Sequence, residues 1–274
     1  MLFSFLIMAI AARELSDTLD PFEIVFMRSS VALAVVIGVI LFQKMSHGSV
    51  GISTQRLPLH IFRNIIHYFG NLAWIAGVGL IPLALVFALE FSIPIWIGIL
   101  AVVFLKEKMT LGKIVAIVFG FTGVLIILRP GLVSIEMGSL AVLAASISFA
   151  IANVCTKSLS RTDSPLTILF LMFAMQWPIS AVGAFFVWTT PAWADIPWIL
   201  ILGGTSLSAH YTMTRALQLA DITVVLPIDF IRMPMIAVLG FFLYNEPFSA
   251  WIFIGAILIF SGNYYNIHRE RKNT

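Results

Sequence analysis

LIPLALVFALEFSIPIWIGILAVVFL, from Leu80 to Leu105, is an apolar run long enough to cross a bilayer as a helix. Gly79 precedes it and Lys106-Glu107-Lys108 follows it. One carboxylate, Glu90, falls well inside it. The arrangement returns 139 positions later: Val86 falls on Val225, Glu90 on Asp229, Phe91 on Phe230, Glu107 on Glu246 and Gly123 on Gly262. Two copies of one segment, each with an acid at the same depth, are the strongest functional signal in the chain.

Composition sets the class. Of 274 residues, 60% are hydrophobic and 11% charged, with a mean hydropathy of +1.03. Soluble domains are about half apolar and about a quarter charged. The chain therefore reads as an all-α integral membrane protein with the lipid bilayer as its surroundings. Its apolar runs are continuous rather than alternating, which excludes a β-barrel. One cysteine, Cys155, rules out an intrachain disulfide and a cysteine-rich metal site. The basic pI near 9.2 reflects Lys and Arg scattered over short loops, a topology signal and not a nucleic-acid footprint. Met1 to Ala12 lacks the basic start and cleavage site of a signal peptide and reads as part of a membrane helix.

Ten apolar segments can be drawn, roughly 1–13, 22–42, 57–80, 82–105, 111–128, 137–157, 165–188, 196–219, 222–243 and 249–267. A shift of 144 lays Leu15-Ser16 on Leu159-Ser160, Thr18 on Thr162 and Pro21 on Pro165. On that register Gly138 matches a position about seven residues before Met1, so the first helix is expected to be clipped. The expectation is ten transmembrane helices as two five-helix repeats, 1–130 and 131–274. An odd number of helices per repeat inverts the second copy. With the N-terminus on one side, that side holds Lys44, Arg56, Lys106, Lys108, Lys113, Lys157, Arg161, Arg269, Arg271 and Lys272; the other holds Arg13 and Arg129. This asymmetry predicts that both termini are cytoplasmic.

Four basic residues remain inside helices: Arg28, Arg63, Arg215 and Arg232. The first three lie about six residues from a helix end and can snorkel to the interface. Arg232 is central, and Asp229, three residues earlier, shares its face and can pair with it. Glu90 has no basic residue within helical reach on its own helix, so it reads as an unpaired acid. It is either bonded to a neighbouring helix or part of a pathway; Glu90 and Asp229 are the candidates for coupling to a proton. A polar stripe, Arg63, His67, Asn71 and Trp74, marks one face of the 57–80 helix. Gly203, Ser206, His210 and Thr214 answer it on the 196–219 helix, where His210 is the repeat equivalent of Asn71. Together they predict a polar cavity near the midplane, with Trp74 and Tyr211 among the aromatics able to stack on a substrate. Pro82, Pro94, Pro227 and Pro234 predict bends in the two acid-bearing helices, as moving gates or as static kinks. Gly112, Ala116 and Gly120 form a small-residue ridge for packing against the 249–267 helix or a second protomer, making a homodimer a candidate. No HExxH, Walker loop, nucleophile elbow or metal-ligand cluster is present, so no catalytic residue, metal or cofactor is expected.

FLKEKMTLGKIVAIVFGFTGVLII and its partner FLYNEPFSAWIFIGAILIFSGN resemble the EamA-type transporters of the drug/metabolite transporter superfamily. So do the turns at Ile81-Pro82 and Ala220-Asp221 and Arg28 early in its helix. The resemblance covers essentially the whole chain and implies ten helices around a central cavity in a bacterial inner (plasma) membrane. It also implies transport of small metabolites by proton coupling or exchange. The residues favour a zwitterionic or cationic metabolite, with amino acids or their derivatives as the leading class. Glu90 would meet a cationic group or a proton, and Arg232, tuned by Asp229, a carboxylate. His67, Asn71 and His210 would supply hydrogen bonds. The alternatives are a nucleoside-like cation such as S-adenosylmethionine and, in another class, an intramembrane enzyme or receptor.

Overall fold

The structure is a computed structural model describing residues 1–48, 52–105, 109–131, 135–219, 225, 232–247 and 249–273. Among the described residues the regular elements are helices: α1 (Leu2–Ser16), α2 (Pro21–His47), α3 (Leu57–Leu80), α4 (Leu83–Glu90), α5 (Ile93–Leu105), α6 (Leu111–Leu128), α7 (Met137–Leu159), α8 (Pro165–Val187), α9 (Ile196–Leu219), α10 (Arg232–Tyr244) and α11 (Ala250–Asn273). Six stretches are long and apolar enough to cross a membrane: Pro21–Ser46, Leu83–Leu100, Leu111–Leu128, Met137–Leu159, Pro165–Val187 and Ala250–Arg269. The protein is a multi-pass membrane protein. α3 and α9 are each 24 residues long yet fall outside that apolar set. They are the two helices with polar stripes, and those stripes turn inward.

Several helix starts follow from local chemistry. Asp20 caps α2 through Phe22 N–H at 2.9 Å, while Glu23 returns a bond to Asp20 N–H at 3.0 Å and Pro21 occupies the first turn. Ser164 caps α8 through Thr167 N–H at 3.1 Å, again with proline next. Buried Glu23 also accepts from Thr189 N–H, tying the start of α2 to the end of α8.

The 82–105 run is not one bent helix. α4 stops at Glu90 and α5 begins at Ile93. Pro94 has no N–H for the carbonyl four residues back, which belongs to Glu90, and its ring crowds that carbonyl. The backbone tightens instead: Ser92 N–H bonds Leu89 O at 3.0 Å and Ile95 N–H bonds Ser92 O at 2.9 Å. Pro82 is not an interior kink either; it is the N-cap of α4. Pro227 lies outside the described residues, and Pro234 lies within α10, two residues after Arg232.

The core runs through α1, α3, α4 and α7, centred on Leu6, Ala9, Leu15, Ile75, Val86, Phe87 and Val142. α6 and α11 pack on each other through glycines. A Cβ on Gly123 or on Gly255 would fall 2.6 Å from the other's carbonyl oxygen. Gly112 meets Asn266 of α11 in the same way, whereas Gly120 faces Ile95 of α5. The small-residue ridge thus serves mainly an intrachain contact. Outward faces carry large apolar side chains such as Phe185 and Phe186, 77% and 79% exposed, as lipid contact requires.

Near the start of α3, His60 Nε2 meets the Asp163 carboxylate at 2.7 Å, joining α3 to the α7–α8 turn. Burial acts to raise the Asp163 carboxyl, but hydrogen bonds from His60, Thr54 and Thr162 outweigh it and hold it below the ordinary carboxylate range. A depressed folded-state pKa contributes stability that is present above the unfolded value, near ~4, and lost as pH falls through the folded value. Asp163→Asn is therefore expected to flatten the loss of thermal stability below about pH 4, read from melting curves of the detergent-purified protein. Gly123→Leu is expected to destabilise by about 2 kcal/mol or more through overpacking, and an unchanged melting temperature would contradict the close α6–α11 contact.

Candidate functional site

The break after α4 leaves the Glu90 side chain at a helix end inside the bundle. Its Oε2 accepts from Trp74 Nε1 of α3 at 2.9 Å, and its Oε1 from Arg232 Nη2 of α10 at 3.2 Å. The expectation of an unpaired Glu90 is corrected: its basic partner comes from a distant helix, where same-helix spacing could not reveal it. The guanidinium of Arg232 lies over the Phe5 ring at 4.7 Å and the Phe87 ring at 5.1 Å from their centroids. A cation is thus held by one carboxylate and two aromatic faces. Glu90, Arg232, Trp74 and Phe87 are all buried. Asp229, and with it the expected Asp229–Arg232 pair, lies outside the described residues.

One turn along α3 a second polar cluster begins. Arg28 does not snorkel; it is 2% exposed and donates to Asn71 Oδ1 at 3.0 Å and Gln176 Oε1 at 3.1 Å. A guanidinium only donates, so both amides must turn their oxygens toward it. Their NH2 groups then face His67 Nδ1, each at 2.9 Å. That nitrogen must accept, which places the imidazole proton on Nε2. One arginine thereby sets two amide orientations and one histidine tautomer. The His67 ring meets His210 edge-on at 5.0 Å, and His210 meets Phe5 at 5.9 Å. Phe5 therefore touches both clusters. Arg63 is also buried, donating to Thr156 Oγ1 at 3.1 Å and Asn64 Oδ1 at 2.7 Å. Arg215 is the one that follows the snorkelling expectation: it is exposed and bonds Gln218.

The sequence-selected residues Glu90, Arg232, Trp74, His67, Asn71 and His210 thus converge. Tyr211 does not; it is 45% exposed and lines an outer groove with Val35, Val39 and Arg215. Gln176, Phe5 and Arg28 join the site without having been selected for it. Gln176 carried a usable signal, being the sole amide in the apolar run Pro165–Val187.

The N-terminal end of α4 has its own charged contacts. Leu83 N–H donates to both Glu246 oxygens at 2.9 Å, and Arg13 Nη2 approaches Oε1 at 3.9 Å. Arg13 also donates to the carbonyls of Val78 and Ile81, and Tyr244 donates to Glu14 at 2.8 Å. Asn245, with φ of 52°, turns the chain so that Glu246 N–H bonds Gly240 O at 3.1 Å. α4 is therefore held to the 232–246 segment at both ends.

A multi-pass helical fold that encloses buried, convergent polar groups is the arrangement of a membrane transporter of small metabolites, the class to which its family and relatives belong. The profile of the EamA-like transporter family matches residues 1–129 and 136–267, and the chain belongs to that family. It is 26% identical over 263 residues to an S-adenosylmethionine uptake transporter of Rickettsia bellii, covering 96% of this chain and 89% of that one. It is 29% identical over 220 residues to a riboflavin transporter of Rhizobium johnstonii, covering 78% of this chain and 72% of the other. A solved crystal structure shares the fold, with a TM-score of 0.70 at 17% identity, covering 98% of this chain and 95% of that one.

Removing one partner of a buried ion pair leaves a charge stranded, at a cost of about 3–5 kcal/mol. Arg232→Met is accordingly expected to lower stability sharply, and Arg232→Met with Glu90→Gln to recover much of the loss. Additive losses in a double-mutant cycle would dissolve the pair.

Proposed function

We propose that the protein takes up S-adenosylmethionine or a closely related nucleoside sulfonium by alternating access. The observation that carries this reading is the cation cage. Glu90 and the Phe5 and Phe87 rings surround the protein's own Arg232 guanidinium, and Trp74 Nε1 holds the other oxygen of Glu90. A sulfonium or ammonium entering the same enclosure would exchange for Arg232 on Glu90, and a purine would have aromatic faces to stack on. The near full-length similarity to transporters named for S-adenosylmethionine supports this substrate over a simple amino acid. The helix pairing supports the two-repeat reading: α3 packs on α7 much as α1 packs on α9, the exchange that a pseudo-two-fold relation requires. In this reading ten membrane segments form two inverted repeats, with both termini in the cytoplasm of a bacterial cell.

The test is uptake of labelled S-adenosylmethionine into proteoliposomes. Saturable uptake is expected, with the neutral thioether S-adenosylhomocysteine competing at least about tenfold more weakly, the effect of one desolvated cation–π contact. Glu90→Gln should lower uptake by a similar factor. Saturable riboflavin uptake with no response to S-adenosylmethionine would replace this substrate with a neutral one.

A further inference from the structure

Every buried carboxylate among the described residues is already engaged. Glu23 holds Asp20 N–H and Thr189 N–H; Asp163 holds His60; Asp195 holds Thr18 and Ala192 N–H. Glu246 holds Leu83 N–H and Arg13, and Glu90 holds Trp74 and Arg232. None reaches Arg28 or Arg63, whose recorded partners are neutral amides and a hydroxyl. Two guanidinium charges are therefore buried in the bundle without a carboxylate partner among the described residues. A buried charge is costly unless a countercharge meets it.

Several of the buried polar atoms left without a partner lie on α2 and on the α9 face that packs against it. Arg28 Nε, Ser29 Oγ, Ser206 Oγ and His210 Nε2 are buried and have no hydrogen-bond partner among the described residues. Gly203, Ser206 and His210 lie on one face of α9, spaced three and four apart. The face is directed at this cluster: a Cβ on Gly203 would fall 3.3 Å from the Arg28 carbonyl and 2.4 Å from Val31. His210 closes the circuit against His67, which holds the two amides that hold Arg28. The guanidinium has three N–H donors left after those two bonds.

We infer that Arg28, with Ser206 and His210, forms a carboxylate subsite, separate from the Glu90 cage, that receives the anionic end of the transported molecule. This rests on the proposed function only for which molecule brings the carboxylate. Geometry lets one ligand reach both sites. Asn71, beside Arg28, and Trp74, beside Glu90, are three residues apart on α3, about 4.5 Å along its axis. Phe5 borders both. A metabolite with a cationic centre and a carboxylate a few bonds away would satisfy both sites at once. The subsite would then discriminate against neutral nucleosides that share its aromatic half.

The experiment compares equilibrium binding of S-adenosylmethionine and its decarboxylated analogue, S-adenosyl-3-methylthiopropylamine, to the purified full chain. In wild type, losing the carboxylate is expected to weaken binding about 30-fold, as for truncating one partner of a buried charge-assisted contact. In Arg28→Gln that penalty should shrink to about threefold or less, with affinity for the analogue retained. Arg28→Lys, which keeps the charge but not the fork, should fall between them. Ser206→Ala removes a hydroxyl with no recorded partner, so it tests the subsite even where Arg28→Gln fails to fold. It should weaken S-adenosylmethionine several-fold and spare the analogue. Equal wild-type affinity for both ligands, or variants that lose both alike, would overturn the subsite. If wild type binds neither, the substrate reading falls and sodium formate decides the subsite. A rise in melting temperature in wild type that is reduced in Arg28→Lys and Ser206→Ala upholds it; no rise, or the same rise in all three, removes it.

Discussion

The ion pair between Glu90 and Arg232 governs much of the arrangement around it. Both charges are buried, so each is far more tolerable where the other lies. The carboxylate must therefore sit where α3 supplies Trp74 and α10 supplies Arg232. That position coincides with the point at which Pro94 denies the backbone a hydrogen bond. The pair, the helix break and the approach of α10 are one structural solution.

Polar and apolar tasks are divided between helices. α6 and α11 meet through Gly123 and Gly255 at backbone distance, which leaves no cavity between them there. The helices α2, α3 and α8, which carry amides, an imidazole and a guanidinium, meet through side chains that bond to one another. Dispersion at close range can hold the first pair wherever lipid surrounds it. The second group needs partners of fixed orientation, and Arg28 supplies that fixity by forcing the amides and His67 into one arrangement.

The sequence made individual residues legible more readily than their partners. An acid within an apolar run and an arginine at mid-helix stand out in any reading, and so do stripes at spacings of three and four. Periodicity relates residues on one helix and says nothing about a contact across 142 positions, so Glu90 read as unpaired. Distance from a helix end misjudged Arg28 and Arg63, because a long side chain can turn inward as easily as outward. Only the partners, Asn71, Gln176 and Thr156, decide its direction. Proline at position 94 announced a disturbance, but bend and break differ by how the next two amides find acceptors. Tyr211 failed for the opposite reason: it neighbours His210 in sequence, yet one residue turns a helix by 100° and carries its side chain to the outer face.

The two fastenings of α4 make its length a fixed measure. Seven residue steps separate Leu83 from Glu90, about 10.5 Å of helix. One end is gauged by Glu246 and the other by Arg232, both fixed to α10 and the turn that follows it. An inserted or deleted residue would change the span by about 1.5 Å, which side chains can absorb. It would also rotate Glu90 by about 100° around the axis, which they cannot. The short rod between Pro82 and Phe91 is therefore held to a single phase.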